Sequence, residues 1–176
     1  AAARAAAPQA ALAESVDALL AHDGLDCLLI ASPNHRHTDQ LRTIAGKVSL
    51  PILVEKPLFT DPDDLAAITA FRDSYAAPVW VAMEYRYMPP MQRFLDRVDL
   101  VTGGIRMLSI VEHRYPFLEK VGNWNRFNAN SGGTFVEKCC HFFDLMRLIL
   151  GSDPVRIMAT GGPVSYTHLR AHETSL

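Results

Sequence analysis

Cys27-Leu-Leu-Ile-Ala31, Ile52-Leu-Val54 and Val79-Trp-Val-Ala-Met83 are three short runs that are apolar at every position rather than at alternate ones. A strand with one wet face alternates, whereas a strand buried on both faces of a parallel sheet does not. Between the runs lie two helix patterns. Thr38 begins one that ends near Gly46, and Asp61 caps a second, with Pro62 in its first position, acids in its first turn, and Leu65, Ile68 and Phe71 on one face. Upstream, Leu12, Val16, Leu19 and Leu20 recur at helical intervals over residues 10–21, with Gly24 as a stop; downstream, Pro89 opens a helix reaching Val98. The alternation of strand and helix with short connections predicts right-handed βαβ units, an α/β class and a parallel sheet.

Beyond residue 103 the texture changes. Residues 105–115 mix polar and apolar positions, as expected of a strand in a sheet with one solvated face. An asparagine-rich loop over residues 122–130 leads to Ser131-Gly-Gly133, then to a helix over residues 134–150 stopped by Gly151, and residues 155–160 could begin another strand. We place a boundary near residue 86. Residues 164–176 carry no apolar period and read as a foreign tail. The first residue is Ala1 rather than methionine, so the natural start is expected upstream.

The 176 residues are 49% hydrophobic and 20% charged, which is a globular composition. Seventeen Lys and Arg against nineteen Asp and Glu give a net charge of −2 without like-charge blocks, so nucleic acid is not an expected partner. No stretch approaches the roughly 18 apolar residues of a membrane helix. Cys27, Cys139 and Cys140 make an odd set with no spaced pairs, which points to a reducing, cytoplasmic setting.

Each of the three strands ends in a polar cluster: Ser32-Pro-Asn-His-Arg-His37, Glu55-Lys-Pro57 and Glu84-Tyr-Arg-Tyr87. In open α/β sheets that carboxyl edge binds ligands. Lys56, between a buried strand and Pro57, can project its ammonium into a desolvated crevice and serve proton transfer. On the later helix Glu137, His141 and Asp144 fall within about 60° of one another, with Phe142, Leu145, Met146 and Ile149 on the other arc. A plainer alternative is a capping box in which Thr134 is the N-cap and Glu137 bonds back to it, leaving a solvated face. His35 and His37 suggest a metal pair, and with Glu137 a metallohydrolase, but no matching histidine and aspartate set follows, and no metal is expected.

The order Leu28-Leu-Ile-Ala-Ser-Pro-Asn-His-x-His37, Val54-Glu-Lys-Pro57, Tyr85-Arg-Tyr87 and Gly132-Gly-Thr-Phe-Val-Glu-Lys-Cys-Cys-His141-Phe-Phe-Asp144 resembles the Gfo/Idh/MocA family over about residues 10–163. The resemblance implies a nicotinamide-dependent oxidoreductase of sugars, inositols or related polyols, using NAD or NADP, with residues 1–85 as part of a Rossmann-type nucleotide-binding domain, residues 86–163 as the start of a mixed α/β second domain for substrate and oligomer contacts, and a homo-oligomer expected of the full-length protein. It assigns catalysis to Lys56 and His141. Where the family commonly has aspartate, Glu137 stands, with a role in orienting His141. It also implies cofactor contacts from Ser32, Pro33, Asn34, His37, Glu55 and Pro57, and an approach to cofactor or substrate by Arg86, Trp124 and Arg126. No G-x-G-x-x-G occurs in the 176 residues, so the expectation is an inactive fragment of an enzyme. The alternative is a non-catalytic nucleotide- or sugar-binding regulator of the same fold.

Overall fold

The computed structural model describes residues 5–113 and 120–160. Strands β1 (Leu28–Ile30), β2 (Ile52–Val54) and β3 (Val79–Val81) form a parallel sheet in that order. Leu29, Leu53 and Trp80 lie directly opposite one another across it. The α/β class and the parallel sheet expected from the sequence are both present.

Helices α1 (Val16–Leu20), α2 (His37–Ala45) and α3 (Leu65–Ser74) supply the core over one face of this sheet. There Leu28, Ile30, Ile52 and Val54 close against Leu20, Leu41, Ile44, Ile68 and Phe71. The opposite face differs from the expectation of strands buried on both sides. Leu29, Leu53 and Trp80 are 65%, 43% and 55% exposed, because both crossover helices pack on the same side and nothing among the described residues covers the other.

Local chemistry explains where the helices begin. Asp61 accepts from the Asp63 amide at 3.0 Å, and a 3₁₀ turn over Pro62–Asp64 leads into α3, where Ile68 and Phe71 are buried while Leu65 is exposed. Tyr75 then ties the end of α3 to the approach of β2: its hydroxyl donates to Leu50 O at 2.7 Å and accepts from Leu50 N at 2.9 Å. The first helix is shorter than its apolar pattern. Ser15 accepts from Ala18 N at 3.0 Å and starts it at Val16, and Leu12 is left outside the helix and exposed.

After β3 come a 3₁₀ turn over Glu84–Tyr87, α4 (Pro89–Leu95) and a short helix the sequence did not suggest, α5 (Val98–Thr102). Residues 105–113 form no strand, and neither do residues 155–160. A strand needs a ladder partner for its backbone groups, and none lies beside these segments among the described residues. Residues 114–115 of the expected strand, and the whole of 164–176, lie outside the described residues. The asparagine-rich loop is more ordered than expected, with a 3₁₀ segment over Val121–Arg126 followed by α6 (Asn128–Ser131).

The expected single helix over residues 134–150 is two, α7 (Gly133–Glu137) and α8 (Cys140–Leu150). The Thr134 carbonyl accepts from the amides of both Lys138, at 2.9 Å, and Cys139, at 3.1 Å. The second is an i→i−5 bond, which inserts a residue and re-aims the chain before α8. Thr134 therefore lies inside α7 rather than at its N-cap, which Gly132 occupies, and the capping box does not form. The arc that α8 buries is that of His141 and Leu145, while Phe143 and Leu150 are exposed.

Candidate active site

The carboxyl ends of the three strands deliver three loops to one edge, and segment 120–147 closes over them. In the first loop Ser32 donates its hydroxyl to Gln40 Oε1 at 2.6 Å, and buried Asn34 donates from Nδ2 to Ser131 O at 3.4 Å. His37 is fully buried, with Nδ1 2.8 Å from Pro57 O and Nε2 3.0 Å from Ser32 O. Its ring thus joins the loop after β1 to the loop after β2. Pro33 lies at the N-cap of the 3₁₀ turn Asn34–Arg36.

In the second loop Glu55 is exposed and its amide donates to Ile30 O at 2.8 Å, while Pro57 is buried behind a cis Lys56–Pro57 peptide. Lys56 Nζ donates to Glu137 O at 2.8 Å, across 81 residues of sequence. The Glu137 side chain is buried; its Oε1 meets Lys120 Nζ at 3.4 Å and its Oε2 has no hydrogen-bond partner. Lys120 lies 4.6 Å above the half-buried Trp124 ring, and Trp124 meets His35 edge-on at 6.4 Å, with the His35 Nδ1 buried and unpartnered. Arg126 is exposed on the same segment.

His141 sits at the centre. It is 2% exposed, its ring stacks on Tyr85 at 4.2 Å and 7°, its Nε2 is 3.5 Å from Glu84 Oε1, and its Nδ1 has no hydrogen-bond partner. Burial lowers its pKa below 6.5; Glu84 and Asp144 oppose that shift, and Lys56 and Lys138 reinforce it. Burial likewise pushes the Cys140 thiol up, keeping it protonated.

Arg86 donates from Nε to Asp144 Oδ2 at 2.6 Å and from Nη2 to Asp144 Oδ1. This bidentate pair raises the arginine pKa and fixes the third loop to α8. Lys138 reaches the Tyr85 hydroxyl and lies 3.5 Å from Glu112 Oε1. The structure therefore brings Lys56, Glu137 and His141 to one place, with Trp124 and Arg86 on its borders. Glu84, Tyr85, Lys120 and Lys138 also belong to the site, and sequence reasoning gave them no role. Glu84 and Tyr85 stand in the polar cluster noted at the end of the third strand, without individual roles; nothing in the spacing marks the two lysines. Among the described residues no three His, Cys, Asp or Glu side chains cluster as metal ligands.

Two sequence models of the oxidoreductase family match the chain, one for its NAD-binding Rossmann fold over residues 1–83 and one for its C-terminal alpha/beta domain over residues 101–173. The D-xylose 1-dehydrogenase (NADP(+)) 2 of Haloferax volcanii is 31% identical over 147 residues, which is 83% of this chain and 44% of that protein. The inositol 2-dehydrogenase of Rhizobium meliloti is 28% identical over 147 residues, covering 83% of this chain and 43% of the relative. A solved structure assigned as a myo-inositol dehydrogenase of Sinorhizobium meliloti superposes with a TM-score of 0.64 at 26% identity, over 81% of this chain and 42% of that one. The chain thus spans less than half the length of these relatives. With both family domains matched in order and the strand-end motifs assembled around one histidine, the chain belongs to the Gfo/Idh/MocA oxidoreductase family.

Proposed function

We propose that this chain carries the catalytic residues of an NAD(P)-dependent oxidoreductase acting on a hydroxyl-bearing carbon of a sugar, inositol or related polyol. The observation that carries the reading is the meeting of Lys56 with the Glu137 and His141 segment. The ammonium is held 2.8 Å from Glu137 O, beside a buried histidine with one unpartnered nitrogen. The family match and the xylose and inositol dehydrogenases among the relatives support the substrate class.

Residues for the nicotinamide end fit the edge where the three loops converge, since the buried, unpartnered His35 Nδ1 offers a polar contact there. Ser32, Pro33, Asn34, His37, Glu55 and Pro57 would shape that wall, with Arg86, Trp124 and Arg126 bordering it. When bound, the nicotinamide supplies the acceptor for the hydride leaving the carbinol carbon. The work of this chain is then with the proton. The Lys56 ammonium stabilises negative charge growing on the substrate oxygen, and neutral His141 accepts the hydroxyl proton. The Glu137 carboxylate pairs with Lys120 and balances that charge beside the site. No glycine-rich phosphate turn occurs in the 176 residues, so we assign turnover to a longer polypeptide. The nucleotide-binding and substrate parts would divide near residue 86. A cytoplasmic setting, supported by the cysteine usage, and a homo-oligomer of the longer polypeptide, as the family resemblance implies, complete the reading.

Lys56→Met and His141→Asn in the intact protein test it, with NAD+ and NADP+ offered alongside myo-inositol and D-xylose. Each variant should lose about 10²–10⁴-fold in kcat while NADH binding, followed by fluorescence, persists. Turnover surviving in both variants overturns the reading. Wild-type protein that binds nucleotide without turning over any polyol would instead identify a non-catalytic regulator.

A further inference from the structure

We propose that Glu84, at the end of β3, is the carboxylate that orients His141, holding its proton on Nε2 and leaving Nδ1 as the base. The inference rests on the reading of His141 as the acid/base group, and it assigns to Glu84 the positioning role that the resemblance gives to residue 137.

Three observations converge on this assignment. The His141 Nε2 to Glu84 Oε1 separation is 3.5 Å. Residue 137 lies on the far side of the break between α7 and α8; its Oε1 meets Lys120 at 3.4 Å, its Oε2 has no hydrogen-bond partner, and it is not among the charged groups that act on the ring. Asp144, one turn along α8, has both oxygens taken by Arg86. Among the described residues Glu84 is thus the acid placed to serve the ring.

The neighbouring Tyr85 stacks flat on the imidazole at 4.2 Å. Tyr85 fixes the plane of the ring and Glu84 fixes which edge faces which way. A neutral imidazole carries one N–H, so a carboxylate at Nε2 selects the Nε2–H form and leaves the lone pair on Nδ1, the nitrogen with no partner. During oxidation the hydroxyl proton would pass to Nδ1. The resulting imidazolium, flanked by Glu84, would keep its Nε2 proton and give up the Nδ1 proton to water once the product leaves, which restores the starting tautomer. The charged groups facing the ring are Lys56 from the loop after β2, Lys138 from the α7–α8 junction, and Glu84 and Asp144. Glu84 is the largest influence that opposes burial and favours the protonated ring.

The test is ¹⁵N NMR of histidine-labelled intact protein, which reads tautomer and titration without any substrate. The wild type should show His141 with its proton on Nε2. Glu84→Gln should mix the tautomers and lower the His141 pKa, and kcat for the polyol oxidised in the assay above should fall about 100-fold with KM unchanged. Glu84→Asp should restore part of both. Glu137→Gln should leave the tautomer as it is. A wild-type Nδ1–H form, an unaltered His141 titration in Glu84→Gln, or a tautomer that instead follows Glu137→Gln overturns the proposal. A Glu84-dependent tautomer in a protein whose His141→Asn variant still turns over would uphold the pairing and sink the catalytic reading alone.

Discussion

Burial holds the His141 ring neutral by lowering its pKa from 6.5, and the sign of that shift fixes how the fold responds to acid. A histidine with a depressed folded pKa leaves the unfolded chain binding more protons between the two pKa values. Its contribution to stability is fully present above pH 6.5 and is lost as pH falls towards the folded pKa. Urea unfolding midpoints measured across that window should drop with acidification, and His141→Gln should flatten the drop. An equal slope in the variant would place the acid sensitivity elsewhere. The same neutrality is what allows the ring to accept a proton at ordinary pH.

Among the elements, the joint between α6 and α7 carries the strictest demand. Gly132 has φ +77, and a Cβ there would sit 2.7 Å from Val136 Cβ and Cγ1 and 3.2 Å from Thr60 O. The first cost is the left-handed backbone, about 1–2 kcal/mol, and the second is overpacking, about 1–3 kcal/mol. Gly132→Ala should therefore lose about 2–5 kcal/mol of unfolding free energy by urea titration. The sequence showed this glycine pair but not its reason, because the contact with Thr60 is made across the fold. In the same way the runs ending at Ala31, Val54 and Met83 were legible as parallel strands, and Asp61-Pro62 as a helix start, since caps and apolar runs are local signals. The break before α8 was not legible, because one carbonyl accepting two amides leaves no mark in residue spacing. Nor was the facing of His141 on Glu84, which joins segments far apart in the chain. Expected strands over residues 105–113 and 155–160 failed for a related reason: their patterns describe a face, and a strand also needs a neighbour.

Across the whole molecule the bare sheet face dominates. Leu29, Leu53 and Trp80 form a continuous apolar row, and Tyr87 extends it by packing its ring 5.8 Å from Trp80. A row of that kind attracts hydrophobic surface. The 176-residue chain should bind the dye ANS and associate as its concentration rises in sedimentation, and Leu53→Ser with Trp80→Ser should suppress both. Undiminished dye binding in the double variant would locate the sticky surface elsewhere.

Two of the bonds that build the site have a consequence for how the protein is made. Asn34 and Lys56 reach carbonyls of Ser131 and Glu137 that lie 97 and 81 residues further on. With ribosomes adding about 5–20 residues per second, β1 to β3 exist for several seconds before those carbonyls are synthesised. The sheet can settle during that interval while Lys56 still faces water. The reactive cluster therefore comes into being after the sheet that carries it, and a nascent chain stalled after β3 carries the scaffold of the site without its chemistry.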